Sequence, residues 1–319
     1  MAEVVWQGEV THSTVLSSVP SDTWSDMSQK PKRKHAAMTA EVVPVPSSVV
    51  AAAAAVVAEG GHNDEPSSQP EKKPKREQPS TSKEDLRSPE EITKQLEDTF
   101  DIRRSFITIE MPGIPIILET YPDLFTGKNM LLEFQRISKI DIDHTIQEYC
   151  VKFAPGIVEL AKHTSGSAAI LKQADQAKQD NAALKQYWDM VTALCLIPLL
   201  LKENIVEMVR EIGEEDEVDP RGKVVPILIA RGSIFKSDEF FLVAEETVLQ
   251  EFEEFTMAFA TLFSSYWVFN MQYPRTLNNT YNFVQKGILH LRDETPIPPP
   301  CKQLVQKLQK WSKIGKGKK

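Results

Sequence analysis

The sequence has few cysteines and lacks the short motifs of familiar catalytic sites. Cys150, Cys195 and Cys301 are far apart and fit no CxxC spacing, so they indicate neither a disulfide framework nor a zinc site. The nucleotide-binding patterns GxxxxGKS/T and GxGxxG and the hydrolase patterns GxSxG and HExxH are missing. We therefore expect a protein that is not an enzyme and that needs no cofactor and no metal.

Long hydrophobic runs are also missing. The apolar runs at residues 49–58 and 190–201 fall short of the roughly 18 residues that cross a bilayer. The first ten residues lack the positive start and the apolar core of a secretory signal. We expect no membrane span and a location inside the cell.

Large apolar side chains are scarce in the N-terminal third after Trp24, where serine, proline, alanine, valine, glutamate and lysine dominate. Such a segment cannot bury enough surface to offset the entropy lost on ordering. The sequence therefore predicts a disordered region over residues 1–87. A helix-rich globular domain over residues 88–295 and a basic amphipathic helix with a tail over residues 296–319 follow it.

Two basic clusters lie in the N-terminal region. Their members are Lys30, Lys32, Arg33 and Lys34 in the first, and Lys72, Lys73, Lys75 and Arg76 in the second. Closely spaced cations in an extended segment fit the acidic groove of a nuclear import receptor, which predicts a nuclear location. The alternative is that the clusters only increase solubility and that the protein stays in the cytoplasm.

Helical patterns dominate the rest of the chain. Ser88, Pro89 and Glu91 form a capping box that starts the first helix, and apolar residues recur at helical spacing over residues 129–140 and 181–197. Pro198 is expected to begin a further segment that runs to Ile212. A long helix is predicted over residues 245–270, with an aromatic stripe that forms a core or extends to a partner.

The spacing of the apolar residues changes from a helical to a strand pattern once, after the acidic loop at residues 214–217. Two short apolar runs, residues 224–229 and 240–243, are separated by turn-forming residues and predict a β-hairpin. The expected fold class is therefore mainly α, with a helical globular domain that carries one small β-hairpin.

Polar residues that could have a chemical role have simpler structural interpretations. Asp141, Asp143 and His144 lack a further ligand that would complete a metal site, and Asp143 is expected to cap a helix that Pro155 kinks or divides. His163 and His290 are expected at helix ends. Five glutamates are expected to spread over the solvated face of the helix at residues 245–270: Glu245, Glu246, Glu251, Glu253 and Glu254.

The C-terminal segment is basic in a chain whose net charge is −8. Residues 302–319 contain seven lysines and no acidic residue, and an apolar stripe ends at Trp311. Lys307, Lys310 and Lys313 are candidates for contact with phosphates or with a partner, such as a calmodulin-like protein or an anionic lipid surface. Alternatively, the stripe packs on the domain and the lysines are only solvated.

Four strings resemble an uncharacterised group of fish proteins that are labelled as similar to sterile alpha motif domain-containing protein 3. The strings are YPDLF at residues 121–125, EFQRI at 133–137, FLVAE at 241–245 and VFNMQYP at 268–274. The resemblance covers about residues 88–291 and implies a shared globular domain of unknown activity. The N-terminal third contains no sterile alpha motif module, and no functional residue is carried over.

These observations favour a non-enzymatic nuclear protein-interaction module. The alternative is a nucleic-acid-associated protein, descended from a mobile element, that contacts phosphates through the C-terminal helix.

Overall fold

The computed structural model describes residues 87–316, with side chains as far as residue 314. Within that range one compact unit contains residues 96–316, and another contains residues 87–95. In the latter, the side chain of Ser88 accepts a hydrogen bond from Glu91 N at 3.2 Å, and the Glu91 carboxylate accepts one from Ser88 N at 2.7 Å. The predicted capping box is therefore confirmed. The predicted disorder of residues 1–86 lies outside the described residues.

Ten α-helices and four strands form the described part of the chain. The helices are α1 (Pro89–Asp98), α2 (Phe100–Ser105), α3 (Ile114–Thr120), α4 (Asn129–Ser138), α5 (Ile142–Ala161), α6 (Ser167–Asp180), α7 (Lys185–Leu200), α8 (Phe255–Val268), α9 (Asn278–Phe283) and α10 (Pro299–Lys316). The strands are β1 (Val209–Ile212), β2 (Ile227–Arg231), β3 (Phe240–Ala244) and β4 (Thr247–Phe252). The expected mainly α class is confirmed. No helix in the described range is long and apolar enough to cross a membrane.

Helix α5 begins two residues earlier than the sequence predicted. The carboxylate of Asp141, rather than that of Asp143, accepts a hydrogen bond from His144 N at 3.1 Å and caps the helix. Pro155 lies inside α5 without dividing it. Val151, one turn earlier, is exposed, so water can reach the side of the helix where the proline removes a backbone donor.

Helix α7 continues through Pro198, so the prediction that this proline starts a new segment is wrong. Every side chain from Val191 to Pro198 is buried, and α7 packs against both α5 and α6. Burial on all sides therefore outweighs the local signal of the proline. After α7 the chain forms a short 3₁₀ turn, Ile205–Glu207, and then β1.

The four strands form one sheet in the order β1-β2-β3-β4, with β1 parallel to β2 and the other neighbours antiparallel. The predicted hairpin corresponds to β2 and β3 and is confirmed. The helix predicted from residue 245 is wrong in its first ten residues, because β4 occupies residues 247–252 and α8 begins only at Phe255. Leu249 and Phe252 are buried while Glu251 is exposed. The two buried residues are three apart rather than two, because a β-bulge opposite Leu242 and Val243 interrupts the regular alternation of β4.

The two faces of the sheet pack differently. Leu228, Leu242 and Phe240 face the main core, to which α8 contributes Phe255, Phe259, Phe263 and Tyr266, all buried. The aromatic stripe of α8 therefore builds the core. The opposite face carries a small second cluster of Ile227, Ile229, Phe241 and Val243, against which Ile212 and Val218 pack.

The C-terminal part ends in a docked helix. The segment that follows α8 contains a 3₁₀ turn, Arg275–Leu277, then α9, and then a π-helical turn, Val284–Ile288. Helix α10 buries Cys301, Leu304 and Leu308 and packs on α5. The lysines of α10 at positions 302, 307, 310 and 313 are exposed.

Candidate interaction surface

The residues that the sequence singled out do not converge on one site. The two basic clusters at residues 30–34 and 72–76 lie outside the described residues. Lys307, Lys310 and Lys313 lie on the exposed side of α10, and their contact with phosphate or a partner stays a prediction.

The three cysteines lie in the core rather than in an accessible pocket. Cys150, Cys195 and Cys301 are fully buried. Burial raises the pKa of the Cys150 thiol to about 12 and raises that of Cys195 further. Both thiols are therefore protonated at neutral pH and poor nucleophiles. Among residues 87–316, no group of three or more histidine, cysteine, aspartate or glutamate side chains could hold a metal ion.

The predicted solvated row of glutamates is not on a helix. Glu245 and Glu246 form the turn between β3 and β4, Glu251 lies in β4, and Glu253 and Glu254 precede α8. Glu245 and Glu246 both adopt left-handed backbone conformations, with φ of 44° and 60°. Such a two-residue turn fits the twist of an antiparallel hairpin, although Asn-Gly is its usual sequence.

Side-chain contacts offset the strain of this turn. The Glu245 carboxylate accepts a hydrogen bond from Ile114 N at 2.6 Å, at the start of α3. The Glu246 carboxylate accepts one from Gly222 N at 2.9 Å, in the segment that crosses the outer face of the sheet. The turn therefore fixes the position of α3 relative to the sheet.

Helices α2 and α3 are joined by a π-helical turn, Phe106–Glu110, and by Met111, which has a left-handed backbone with φ of 49°. The inner side of this unit is anchored by Ile107, Ile114 and Ile117, all buried. Turns of π-helix are rare and occur often at functional sites. In the described range a second π-helical turn occurs at Val284–Ile288.

A buried ion pair holds α2 against α4. The Arg103 guanidinium donates from Nε to Glu133 Oε1 at 2.9 Å and from Nη2 to Glu133 Oε2 at 2.6 Å, and both side chains are buried. Arg103 Nη1 also donates to Thr99 Oγ1 at 2.8 Å, and Nη2 donates to Leu96 O at 2.8 Å. These partners give the guanidinium a fixed, bidentate geometry.

The next residue, Arg104, also points inward. Its Nη1 donates to the carbonyl oxygens of Trp267 at 3.1 Å and Val268 at 2.8 Å, at the C-terminal end of α8. A cation is favourable there because the last carbonyl groups of a helix lack backbone donors. Burial lowers the pKa of Arg104 to about 10, so it keeps its charge at neutral pH.

The outer side of the same unit is apolar. Ten large apolar side chains are exposed among residues 87–314, and four of them fall between residues 102 and 116. They are Ile102 with 69% of its surface exposed, Ile109 with 65%, Met111 with 41% and Ile116 with 49%. We call these four residues the α2–α3 surface. Isolated exposed apolar residues are ordinary, but a concentration of them marks an interaction site.

A concave region lies elsewhere, at the edge of the sheet. A cleft of about 390 Å³ is lined by Arg210, Ile212, Ile229 and Lys223 together with Glu211, Asp216, Glu217 and Asp219. Its lining mixes charges of both signs and brings together no nucleophile with a base. The α2–α3 surface is therefore the stronger candidate.

Sequence reasoning missed the α2–α3 surface. It extended the first helix from the capping box to about Arg103, whereas α1 ends at Asp98 and the chain turns into α2. The signal that could have revealed it is the position of Ile102 and Ile109. Neither residue lies on the side of the helix that carries the buried Arg103 and Ile107.

Comparison with known proteins adds one relationship. No family model matches the sequence, and no solved structure matches it. The chain is similar to sterile alpha motif domain-containing protein 3 of Homo sapiens, with 24% identity over 214 residues, which are 67% of this chain and 39% of the human protein. The Mus musculus protein of the same name is 25% identical over 225 residues, 67% of this chain and 41% of its own length. The chain thus spans about two-fifths of each relative, and the resemblance indicated by the four strings is confirmed.

Proposed function

We propose that the globular domain is a non-enzymatic protein-interaction module and that a partner protein binds its α2–α3 surface. The observation that carries the proposal is the exposure of Ile102, Ile109, Met111 and Ile116 on a unit whose inner side is firmly anchored. Leaving these side chains in water is unfavourable, and a partner that covers them gains roughly 25 cal/mol for each Å² of apolar surface buried.

The rigid support beneath the surface favours binding. Arg103 is fixed by Glu133, and Arg104 is fixed by the end of α8. A surface that is already ordered loses little conformational entropy when a partner binds. The surface is therefore suited to recognition without rearrangement.

Comparative affinity purification tests this function. The full-length protein, the Ile102→Ser/Ile109→Ser variant and a control variant, Val151→Ser/Val206→Ser, are used as baits in the same extract, and bound proteins are quantified by mass spectrometry. Val151 and Val206 are also exposed but lie on other elements. We expect a defined set of proteins to be lost from the Ile102/Ile109 variant and kept by the control. Equal recovery with all three baits would contradict the proposal.

We also propose that the protein acts in the nucleus, with the two basic clusters as the import signal. Replacement of Lys32, Arg33, Lys34, Lys73, Lys75 and Arg76 by alanine should move a tagged protein to the cytoplasm. The matched control replaces six exposed lysines of the domain and the C-terminal helix: Lys94, Lys152, Lys172, Lys185, Lys236 and Lys302. An unchanged distribution of the cluster variant would exclude these clusters as the signal.

A further inference from the structure

The α2–α3 surface has a one-sided charge. Residues 98–120 include four exposed carboxylates, Asp98, Asp101, Glu110 and Glu119. The only basic residues in that stretch are Arg103 and Arg104, and both guanidinium groups are occupied on the inner side by Glu133 and by the end of α8. The exposed apolar side chains are therefore accompanied by negative charge and by no exposed cation from the same stretch.

We propose that the α2–α3 surface binds an amphipathic helix that presents lysine or arginine beside its hydrophobic face. This inference rests on the proposed function and identifies the chemistry of the partner. The apolar residues supply the contact, and the carboxylates select a cationic partner, because complementary charge increases the rate of association and disfavours acidic competitors.

The spacing of the apolar residues fits a helical partner. Ile102 and Ile109 lie seven residues apart on α2 and its π-helical continuation, which is slightly less than two helical turns. An amphipathic helix presents anchors at i, i+3, i+4 and i+7, with the same separation between its first and last anchors. The two isoleucines can therefore contact anchors on successive turns of such a partner helix.

The charge disfavours two other occupants. An anionic membrane would place lipid phosphates against Asp101 and Glu110, which is unfavourable. A second copy of the chain that used the same surface would bring the same carboxylates together across a two-fold axis. The lysine side of α10 in a second copy is also unsuitable, because Cys301, Leu304 and Leu308 of that helix are buried.

A designed peptide provides the probe. It is an 18-residue helix of leucine and lysine with leucine at i, i+3, i+4 and i+7, carries a fluorescent label and is titrated with the full-length protein at low and moderate salt. A second peptide of the same composition in scrambled order has no apolar face. We expect the amphipathic peptide to bind and the scrambled one to bind at least tenfold more weakly.

Two variants and two controls locate the binding. Ile102→Ser/Ile109→Ser should weaken binding of the amphipathic peptide at least tenfold at both salt concentrations. Asp101→Lys/Glu110→Lys should weaken it most at low salt, because salt screens exposed charges. Val151→Ser/Val206→Ser and Glu215→Lys/Glu217→Lys change exposed residues on other elements and should leave the affinity within twofold.

Several results would overturn the inference. They are equal binding of the two peptides, equal loss with the control variants, and binding that neither the isoleucine nor the carboxylate variant weakens. Binding of neutral lipid vesicles through Ile102 and Ile109 would also reject it and indicate a membrane instead. The proposed function is judged separately, because proteins lost from the Ile102→Ser/Ile109→Ser bait would still support an interaction module whose partner is not a cationic helix.

Discussion

The indole ring of Trp311 in α10 lies directly against the backbone of Gly156 in α5. A Cβ atom at residue 156 would come within 2.7 Å of the ring atoms Cδ2 and Cε3. The glycine therefore makes room for the tryptophan. Through this contact, and through buried Cys301, Leu304 and Leu308, the C-terminal helix packs on the domain.

The contact predicts that the effect of Gly156→Ala depends on Trp311. In the natural protein the added methyl group displaces the indole, so we expect Gly156→Ala to lower the melting temperature. In a Trp311→Ala background the same change should raise it, because alanine is favoured over glycine inside a helix by about 1 kcal/mol. Thermal unfolding of the four proteins in this double-mutant cycle gives the coupling energy.

Trp311→Ala alone should lower the free energy of unfolding by about 2 kcal/mol. This is less than the loss expected for a fully buried tryptophan, because the ring is half-buried. Lys310→Ala, a neighbouring change on the exposed side of α10, is the control and should have little effect. Equal effects of Gly156→Ala in both backgrounds would contradict the packing of Trp311 on α5.

The ion pair between Arg103 and Glu133 gives a second prediction. Glu133→Gln leaves a buried guanidinium without its charged partner, so we expect a loss of about 3–5 kcal/mol in the free energy of unfolding. The combined Arg103→Met/Glu133→Leu variant removes both charges and should recover much of this loss. Denaturant unfolding measures both.

Lys162 and Glu159 provide a matched control, because this ion pair is exposed on α5. Glu159→Gln should have little effect on the free energy of unfolding, because water screens an exposed ion pair. If Glu133→Gln were equally mild, Arg103 would have to find another partner or reach water.

Local sequence signals predicted those parts of the fold that depend on neighbours along the chain. The capping box at Ser88 and the apolar stripe of α4 are complete within one or two helical turns. Two aspartates lie at the start of α5, and the sequence analysis assigned the cap to Asp143, whereas Asp141 caps the helix. The predicted start of the helix is therefore wrong by two residues, as expected where several polar residues lie near a helix end.

Parts of the fold that depend on distant contacts were not predictable. The turn at Glu245 and Glu246 has no glycine or asparagine, and its conformation is supported by Ile114 and Gly222, far away in the sequence. Residues 247–252 therefore looked like the start of the helix that follows. The α2–α3 surface was missed for the same reason, since the charged partner that holds Arg103 on the inner side is Glu133, 30 residues later.

Asp293 predicts how stability depends on pH. Burial alone would raise its pKa, but hydrogen bonds from Lys286, Thr295 and Gln285 outweigh that effect and lower the pKa from 3.8 to about 2. The folded state thus favours the carboxylate, which stabilises the protein above pH 3.8, and this contribution is lost as the pH falls towards 2. Because Asp293 is partly exposed and water screens its charge, we expect its carboxylate to contribute about 1 kcal/mol to the free energy of unfolding.

Asp293→Asn should therefore destabilise the protein at pH 6 and should have a smaller effect at pH 3, as measured by thermal unfolding at both values. Asp175→Asn, on the exposed side of α6, is the control. A penalty for Asp293→Asn that is the same at both pH values would show that the carboxylate charge contributes nothing.

The lysines of α10 separate the proposed function from the nucleic-acid alternative. The apolar side of α10 is buried, so Lys307, Lys310 and Lys313 make no contribution to packing. Replacement of all three by glutamate should therefore change the free energy of unfolding by less than about 0.5 kcal/mol.

If the three lysines neutralise phosphates, the slope of log K for DNA binding against log salt should lose about 2.7 units when their charges are reversed. We expect no such change, since the net charge of −8 opposes binding to duplex DNA. Titration of a generic duplex with the natural and reversed proteins at several salt concentrations measures both slopes. A steep slope that collapses in the variant would favour the alternative, and an identical weak response in both would leave α10 with the packing role that Trp311 and Gly156 define.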